Sequence, residues 1–463
     1  MEQNTNPELV IVGGGLAGSE AAWQAAERGV KVHLYEMRPN KKTGAHQSSL
    51  LAELVCSNSL GSNLPDRASG ILKIELRILG SLLINCADEA AVPAGGALAV
   101  DRDLFSQMVT TKIANHPLIK IIHQEVTEIP DSTTIIASGP LTSPKLSKAI
   151  RDLTGYEQIY FYDALAPIVY KENIDLNIAF QGSRYGDISG ENEGDYLNCP
   201  MNRDEYYRFV EEMIKSRKIT LHDYENQIYL GVRAGAHKYF EGCLPIEIIA
   251  MRGVESLAFG PLRPVGLTDY RTGQKSFAVV QLRQDNLAKT LYNMVGFQTN
   301  LKYSEQKRVF RMIPGLERVE FARYGQMHRN TFIFSPALLY PTLQFKHRDN
   351  LFFAGQLTGI EGYVGNIAAG FLAGVNAARF ELGQTFLEMP ASTMIGALCN
   401  YITHADAKDF QPMKANLGIL PDLDTNIKGK RMRAAAYAQR STTELQTFLT
   451  GMITTGVAHS HNE

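Results

Sequence analysis

The chain has 463 residues, about three times the usual domain length, so one to three domains and a sizeable core are expected. Its 44% hydrophobic and 20% charged content excludes disorder, and a formal net charge of -2 excludes a global basic field, so any RNA surface must be a local patch. Met1 to Pro7 lacks the basic start and apolar run of a signal peptide, and the longest nearly apolar stretch, Ile367 to Ala378, is too short and glycine-rich to cross a bilayer. Cytoplasm is therefore the expected compartment, with no membrane partner. Five cysteines, Cys56, Cys86, Cys199, Cys243 and Cys399, form no C-x-x-C pair and no Cys/His cluster, so neither a metal nor a disulfide framework is expected.

The first informative stretch is Leu9-Val10-Ile11-Val12-Gly13-Gly14-Gly15-Leu16-Ala17-Gly18-Ser19-Glu20-Ala21-Ala22. A β-branched run stops at glycines spaced G-x-G-x-x-G and an alanine-rich helical pattern follows, which reads as strand, tight turn and helix. Gly13 serves the turn, Gly15 lets backbone approach a pyrophosphate, and Gly18 lets helix and strand pack closely. Leu16 and Ala17 open a helix whose free N–H groups face phosphates. A second strand, Val30 to Glu36, ends on a carboxylate roughly 20 residues on, where an acid that accepts hydrogen bonds from an adenosine ribose is expected. Gly14 and Arg38 are counted with these residues as cofactor contacts. NAD and FAD both satisfy this half of the pattern.

Arg38 to Gly70 is polar and glycine-punctuated and reads as a loop over the cofactor. Ile71 to Leu83 is amphipathic and reads as one helix, Asp101 as the N-cap of a helix through Asn115, and Leu118 to His123 as a strand. Thr133 to Pro140 reads as a buried strand ending in small residues. From about Asp163 to Arg323 the texture changes to aromatic strands, many turns and a charged helix from Asp204 to Lys218, which marks a second domain inserted in the first.

The nucleotide-fold pattern resumes at Asn350-Leu351-Phe352-Phe353-Ala354-Gly355-Gln356, followed by a helix from Gly365 to Arg379. A strand delivering Gly355 and Gln356 to a ribityl chain, and a helix aimed from Gly365 at the pyrimidine side of a flavin, have no use in an NAD-only dehydrogenase. The pair of motifs decides for FAD. The expected fold is α/β: a Rossmann-like FAD-binding domain of the two-dinucleotide-fold (glutathione-reductase-like) type with an inserted α+β domain. The expected division is 1–162 and 324–463 for the FAD-binding domain and 163–323 for the insertion. Lys428, Lys430, Arg431, Arg433 and Arg440 lie in a helical tail, read either as a solvated face or as an RNA contact.

Nine motifs extend the pattern over nearly the whole chain: GGGLAGSEAAWQAAERG with YEMRP, ELVCSNSL, ALAVDRDLFS, YLNCPMNRDEYYRF, FEGCLPIE, FGPLRPVGL, RYGQMHRNTFIFSP and AGQLTGIEGYVGNIAAGFLAGVNAAR. In this order they resemble the folate- and FAD-dependent tRNA (uracil-5-)-methyltransferases, the TrmFO family, related to the GidA flavoproteins. The resemblance implies transfer of one carbon from 5,10-methylenetetrahydrofolate to C5 of uridine 54 in the tRNA T loop, with NAD(P)H supplying electrons. Some relatives with this pattern act on ribosomal RNA, and no residue separates the two RNAs; DNA is not implied. A flavin-dependent oxidoreductase acting on a small molecule is the other class that the fold allows.

Uracil C5 is a poor nucleophile until a group adds at C6, and a thiolate is suited to add and later leave. The resemblance implies that Cys243 is this thiol and that Cys56 removes the C5 proton, the exchanged assignment being the rival. A thiol used as a base wants a lowered pKa from neighbouring cations or a helix N-terminus. Cys86, Cys199 and Cys399 read as small buried hydrophobes. His328 reads either as a ring stacked on the pterin or as a core hydrogen bonder.

Overall fold

The computed structural model describes residues 8–41, 43, 45–156, 159–184, 194–219, 244–269, 273, 275–406 and 410–459. The β-branched run becomes strand β1 (Glu8–Val12), buried after its first residue. It is followed by helix α1 (Leu16–Ala26) and by β2 (Lys31–Tyr35), β3 (Ile119–Ile122), β4 (Thr134–Ile136) and β5 (Leu351–Phe353). These strands form one parallel sheet in the order β5-β4-β1-β2-β3. The chain leaves β1 toward β2 on one side and later returns to β4 on the other. That reversal opens a crevice at the C-terminal ends of β1 and β4, the place where doubly wound sheets take ligands.

Helix α1 packs against α3 (Tyr363–Glu381), the helix of the second glycine motif, in which every residue from Val364 to Ala378 is buried. A helix apolar all round belongs to a bilayer or to a core, and its glycines explain the second here. A Cβ on Gly370 would lie 2.2 Å from the Ala17 carbonyl oxygen, and one on Gly374 would lie 2.5 Å from that of Ala21, so the two backbones touch. Among the described residues no helix is long and apolar enough to cross a membrane.

Three expected elements differ in detail, two of them in the first part of the chain. The helix expected over Ile71 to Leu83 is split into α2 (Ala68–Ile78) and a second helix, Leu82–Glu89. Gly80 at φ +77° ends the first, and the Ser81 hydroxyl, accepting from the Ile84 N–H, begins the second. Within the segment read as a loop, Ser59–Ser62 is a strand paired antiparallel with Ala97–Val100. Asp101 caps its helix (Arg102–Ala114) as expected, accepting from the N–H groups of Asp103 and Leu104.

Strands Ile159–Ala164 and Met327–Phe332 pair antiparallel, carrying the chain out and back. Between them lies a six-stranded antiparallel sheet in the order Phe180–Gly182, Tyr196–Met201, Ala278–Gln284, Leu291–Met294, Ile168–Tyr170, Phe321–Arg323. Helix Arg203–Lys215, begun by an Asn202/Glu205 capping box, buries Tyr206, Phe209, Val210 and Met213 against it. The helix stops at Lys215, short of the expected Lys218. This core is separate from that of the parallel sheet. At the C-terminal end, α4 (Met394–His404) and α5 (Lys430–His459) lie against α2. Buried Glu75 joins all three by accepting from the Met394 and Ile395 N–H groups, at 2.6 and 2.9 Å, and from the Ser441 hydroxyl.

Candidate active site

The glycine turn lines an open cleft together with the loop after β2, the turn after β4 and the start of α3. Gly13 has φ +109°, and a Cβ on it would lie 2.5 Å from the Ala137 carbonyl oxygen. A Cβ on Gly18 would sit 1.8 Å from the Gly13 carbonyl oxygen, so only glycine lets α1 rest on the turn. At Gly15 a Cβ meets nothing within 4 Å, because the residue faces the cleft together with Leu16 and Ala17. The first N–H groups of α1 are thus presented to the cleft.

Glu36 also lines the cleft, but its carboxylate is already occupied. Oε2 accepts from the Gly14 N–H at 3.0 Å and Arg38 Nη2 at 3.1 Å; Oε1 accepts from the Arg38 N–H at 3.0 Å and Nε at 2.9 Å. Burial opposes this charge, but the hydrogen bonds and the Arg38 guanidinium outweigh it and hold Glu36 below the usual carboxylate range. Arg38 in turn donates to Glu53 at 3.1 Å and to the Ser48 carbonyl at 3.3 Å, closing the 38–53 loop over the cleft. His46, also in the lining, is pushed down to about 4 by burial and by the neighbouring Arg38.

The lining also includes Ala137 to Ser143, Gly355, Gln356, Tyr363 and Asn366. Gln356 donates to Glu361 Oε1 at 2.6 Å. Asn366 also lines the cleft, and its Oδ1 is buried with no hydrogen-bond partner, an acceptor that a ligand donor could satisfy. Gly365 does not line the cleft; a Cβ there would lie 2.7 Å from the Ile360 side chain, so it serves packing at the start of α3. Open space at Gly15, helix N–H groups and an orphaned buried acceptor fit a dinucleotide cofactor.

Cys56 is half-buried beside this cleft, whose lining includes its neighbour Val55. Tyr363 Oη accepts from the Cys56 N–H at 2.7 Å and the Ser57 N–H at 3.0 Å. Cys243 lies outside the described residues; these resume at Leu244, and Ile246 N–H donates to the Gln298 carbonyl at 2.7 Å. His328 stands opposite Asp163 in the crossing strands. Cys86, Cys199 and Cys399 are buried, and burial pushes all three thiols up, to about 11 for Cys86 and about 12 for Cys399, which leaves them inert as nucleophiles. Lys428, Lys430, Arg431 and Arg433 are exposed at the start of α5, while Arg440 is tied to the Pro421 and Asp422 carbonyls.

With this geometry in view, the chain was compared with known proteins. It is 54% identical over 96% of its length, and 98% of the relative's, to the methylenetetrahydrofolate–tRNA-(uracil-5-)-methyltransferase TrmFO of Brevibacillus brevis. The Enterococcus faecalis protein of the same name is 54% identical over 94% of this chain and 97% of its own. The chain belongs to the TrmFO family. A model of the wider family, glucose inhibited division protein A, matches residues 8–385. Among solved structures, Aquifex aeolicus GidA superposes with a TM-score of 0.67 over 95% of this chain and 76% of its own at 17% identity, and a second crystal form with 0.64 over 87% and 68% at 18%. These show a shared Rossmann-like fold. Sequence reasoning had not singled out Arg102, Arg283, Tyr363 or Asn366 for the site, because each acquires its place through contacts more than a hundred residues away or through the cleft itself.

Proposed function

We propose that this protein methylates C5 of uridine 54 in the tRNA T loop, using 5,10-methylenetetrahydrofolate as carbon donor, NAD(P)H as electron source and FAD held in the cleft. One observation carries the reading: 54% identity over 96% of the chain to a protein named for this activity. No observation favours a ribosomal RNA target or a small-molecule oxidoreductase over it. The setting is the cytoplasm, with 1–162 and 324–463 as the FAD-binding part and 163–323 as the RNA and folate side.

Gly13, Gly15, Leu16 and Ala17 would hold the pyrophosphate; Gly14, which does not line the cleft, is tied to Glu36, and Gly18 keeps α1 on the turn. Glu36 and Arg38 would serve the adenosine end, and Gly355, Gln356 and Asn366 the flavin end, with Gly365 acting through the packing of α3. When bound, FAD carries the one-carbon unit between folate and base and relays electrons. The chain's own thiols do the rest. Cys243 bonds through sulfur to C6 of the uracil, the C5–C6 electron pair moves to C5, and C5 bonds the incoming carbon. Cys56 accepts the proton that C5 still carries, and the electron pair left at C5 expels the group that delivered the carbon to give an exocyclic methylene. A hydride equivalent derived from NAD(P)H reduces that methylene to methyl, and Cys243 leaves as the C5–C6 double bond re-forms.

The test supplies purified protein with tRNA lacking the methyl group and methylene-labelled folate. Label should enter the RNA; label arriving instead from the methyl group of S-adenosylmethionine would sink the reading. A 5-fluorouridine T-loop hairpin should crosslink at Cys243. A crosslink at Cys56 that persists in Cys243→Ala exchanges the two roles.

A further inference from the structure

The inserted sheet reaches across to the loop that carries Cys56 with one buried guanidinium. Arg283, on strand Ala278–Gln284, is 7% exposed. It donates from Nη2 to Ser57 Oγ at 2.7 Å and to Asn293 Oδ1 at 3.4 Å, and from Nε to Asn58 Oδ1 at 2.9 Å, all neutral acceptors. The nearby carboxylate, Asp285, is engaged by Arg102 through three hydrogen bonds of 3.0 to 3.2 Å. Arg102 also donates to the Leu54 carbonyl at 2.9 Å. With Tyr363 holding the Cys56 and Ser57 N–H groups, residues 54–58 are gripped from a helix of the parallel-sheet unit, from α3 and from the inserted sheet.

Two of these three holding groups are cations sharing one carboxylate. Arg323 is a third cation in these surroundings; of the acids besides Asp285, Glu53 is bonded to Arg38 and Ser48, Asp101 caps its helix, and the Asp103 carboxyl is pushed up, first by burial and next by Asp101. Tyr363 is a phenol whose own pKa is pushed up, first by burial. Burial opposes the charge of Arg283 as well. A desolvated guanidinium is costly unless an anion compensates it, and the hydrogen bonds of Arg102 to Leu54 and of Arg283 to Ser57 and Asn58 set two guanidinium groups on the residues that flank Cys56.

We propose that Arg283 is a positioning residue for Cys56: it orders the 54–58 loop through Ser57 and Asn58, and its charge keeps the Cys56 sulfur ionised, so that a thiolate awaits the C5 proton. The thiol proton leaves to solvent beforehand; the thiolate later takes the C5 proton and becomes a thiol again. The inference rests on Cys56 acting as the base. It gives the insertion a part in the chemistry beyond substrate contact, because docking of the inserted sheet supplies the charge.

The test is the infrared S–H stretching band of Cys56 in the purified flavoprotein, read as the difference between native protein and Cys56→Ser at neutral pH. Native protein should lack the band, Arg283→Met should show it, and Arg283→Lys, which keeps the charge, should lack it again. The titration midpoint in Arg283→Met should rise by about one unit or more, a roughly ten-fold loss of thiolate below the midpoint. If Arg283→Met does not fold, Arg283→Gln takes its place, retaining hydrogen bonding to Ser57 and Asn58 without the charge. An S–H band in native protein, or none in the uncharged variant, overturns the proposal. Native-rate methylation by Cys56→Ala would instead remove the base assignment while leaving the ion pair standing.

Discussion

Replacing Gly15 by valine separates the cofactor site from the stability of the fold. Gly15 has φ -76° and ψ -166°, extended backbone open to any residue, and a Cβ there meets nothing within 4 Å. The unfolding free energy of the apoprotein should therefore change by no more than about 0.5 kcal/mol. The free space is the cleft itself, so the valine methyls would stand where a pyrophosphate approaches the first N–H groups of α1. Losing two hydrogen bonds to a charged ligand, at about 1.5–3 kcal/mol each, weakens FAD binding by about 3–6 kcal/mol. That is roughly two to four orders of magnitude in Kd. Titrating apoprotein with FAD while following flavin fluorescence measures the loss, and thermal unfolding of the same apoprotein checks the fold. A folded Gly15→Val protein with native FAD affinity would refute the placement of the pyrophosphate; a large loss of apoprotein stability would refute the open-space argument.

Gly18→Ala should behave in the opposite way, because its Cβ would lie 1.8 Å from the Gly13 carbonyl oxygen. Moving α1 off the turn costs about 1–3 kcal/mol or more, read as a lower midpoint in urea, and unchanged stability would contradict the contact. Burial pushes Glu75 up to about 7 from an ordinary 4.5, so between those values the native state holds more protons than the unfolded chain. Stability contributed by this group is present at low pH and falls as pH rises from about 4.5 to 7, by about 3 kcal/mol in all. Glu75→Gln should flatten that part of the stability-pH curve, and parallel curves for the two proteins would remove Glu75 as its cause. Asp285→Asn leaves the Arg102 side chain, 11% exposed, without its counter-charge and should destabilise by about 3–5 kcal/mol in denaturant unfolding. A loss under 1 kcal/mol would mean that water reaches the pair.

Much of the cleft was legible because its parts are local. The spacing of Gly13, Gly15 and Gly18, the N-cap at Asp101 and the strand ending before Gly355 all depend on residues within one or two turns. Where the reading missed, the deciding partner was distant or the signal was brief. Ser59–Ser62 looks like loop until Ala97–Val100 is beside it, and the split at Gly80-Ser81 is marked by only two residues in an otherwise helical pattern. Glu36 reads from the sequence as an acceptor for an adenosine ribose, whereas its hydrogen bonds from Gly14 and Arg38 depend on how the loop after β2 folds back.

The sequence by itself determined the strand-turn-helix unit, the return of the nucleotide pattern after the insertion and the family, because backbone conformation and apolar periodicity are set by near neighbours. Which charges meet was decided only by the tertiary structure. Arg102 reaches Asp285 across 183 residues, Arg283 reaches Ser57 across 226, and Tyr363 reaches Cys56 across 307. Side chains so far apart in the chain carry no mutual signature in local pattern. Docking of the inserted sheet and α3 onto the parallel sheet brings them together around residues 54–58.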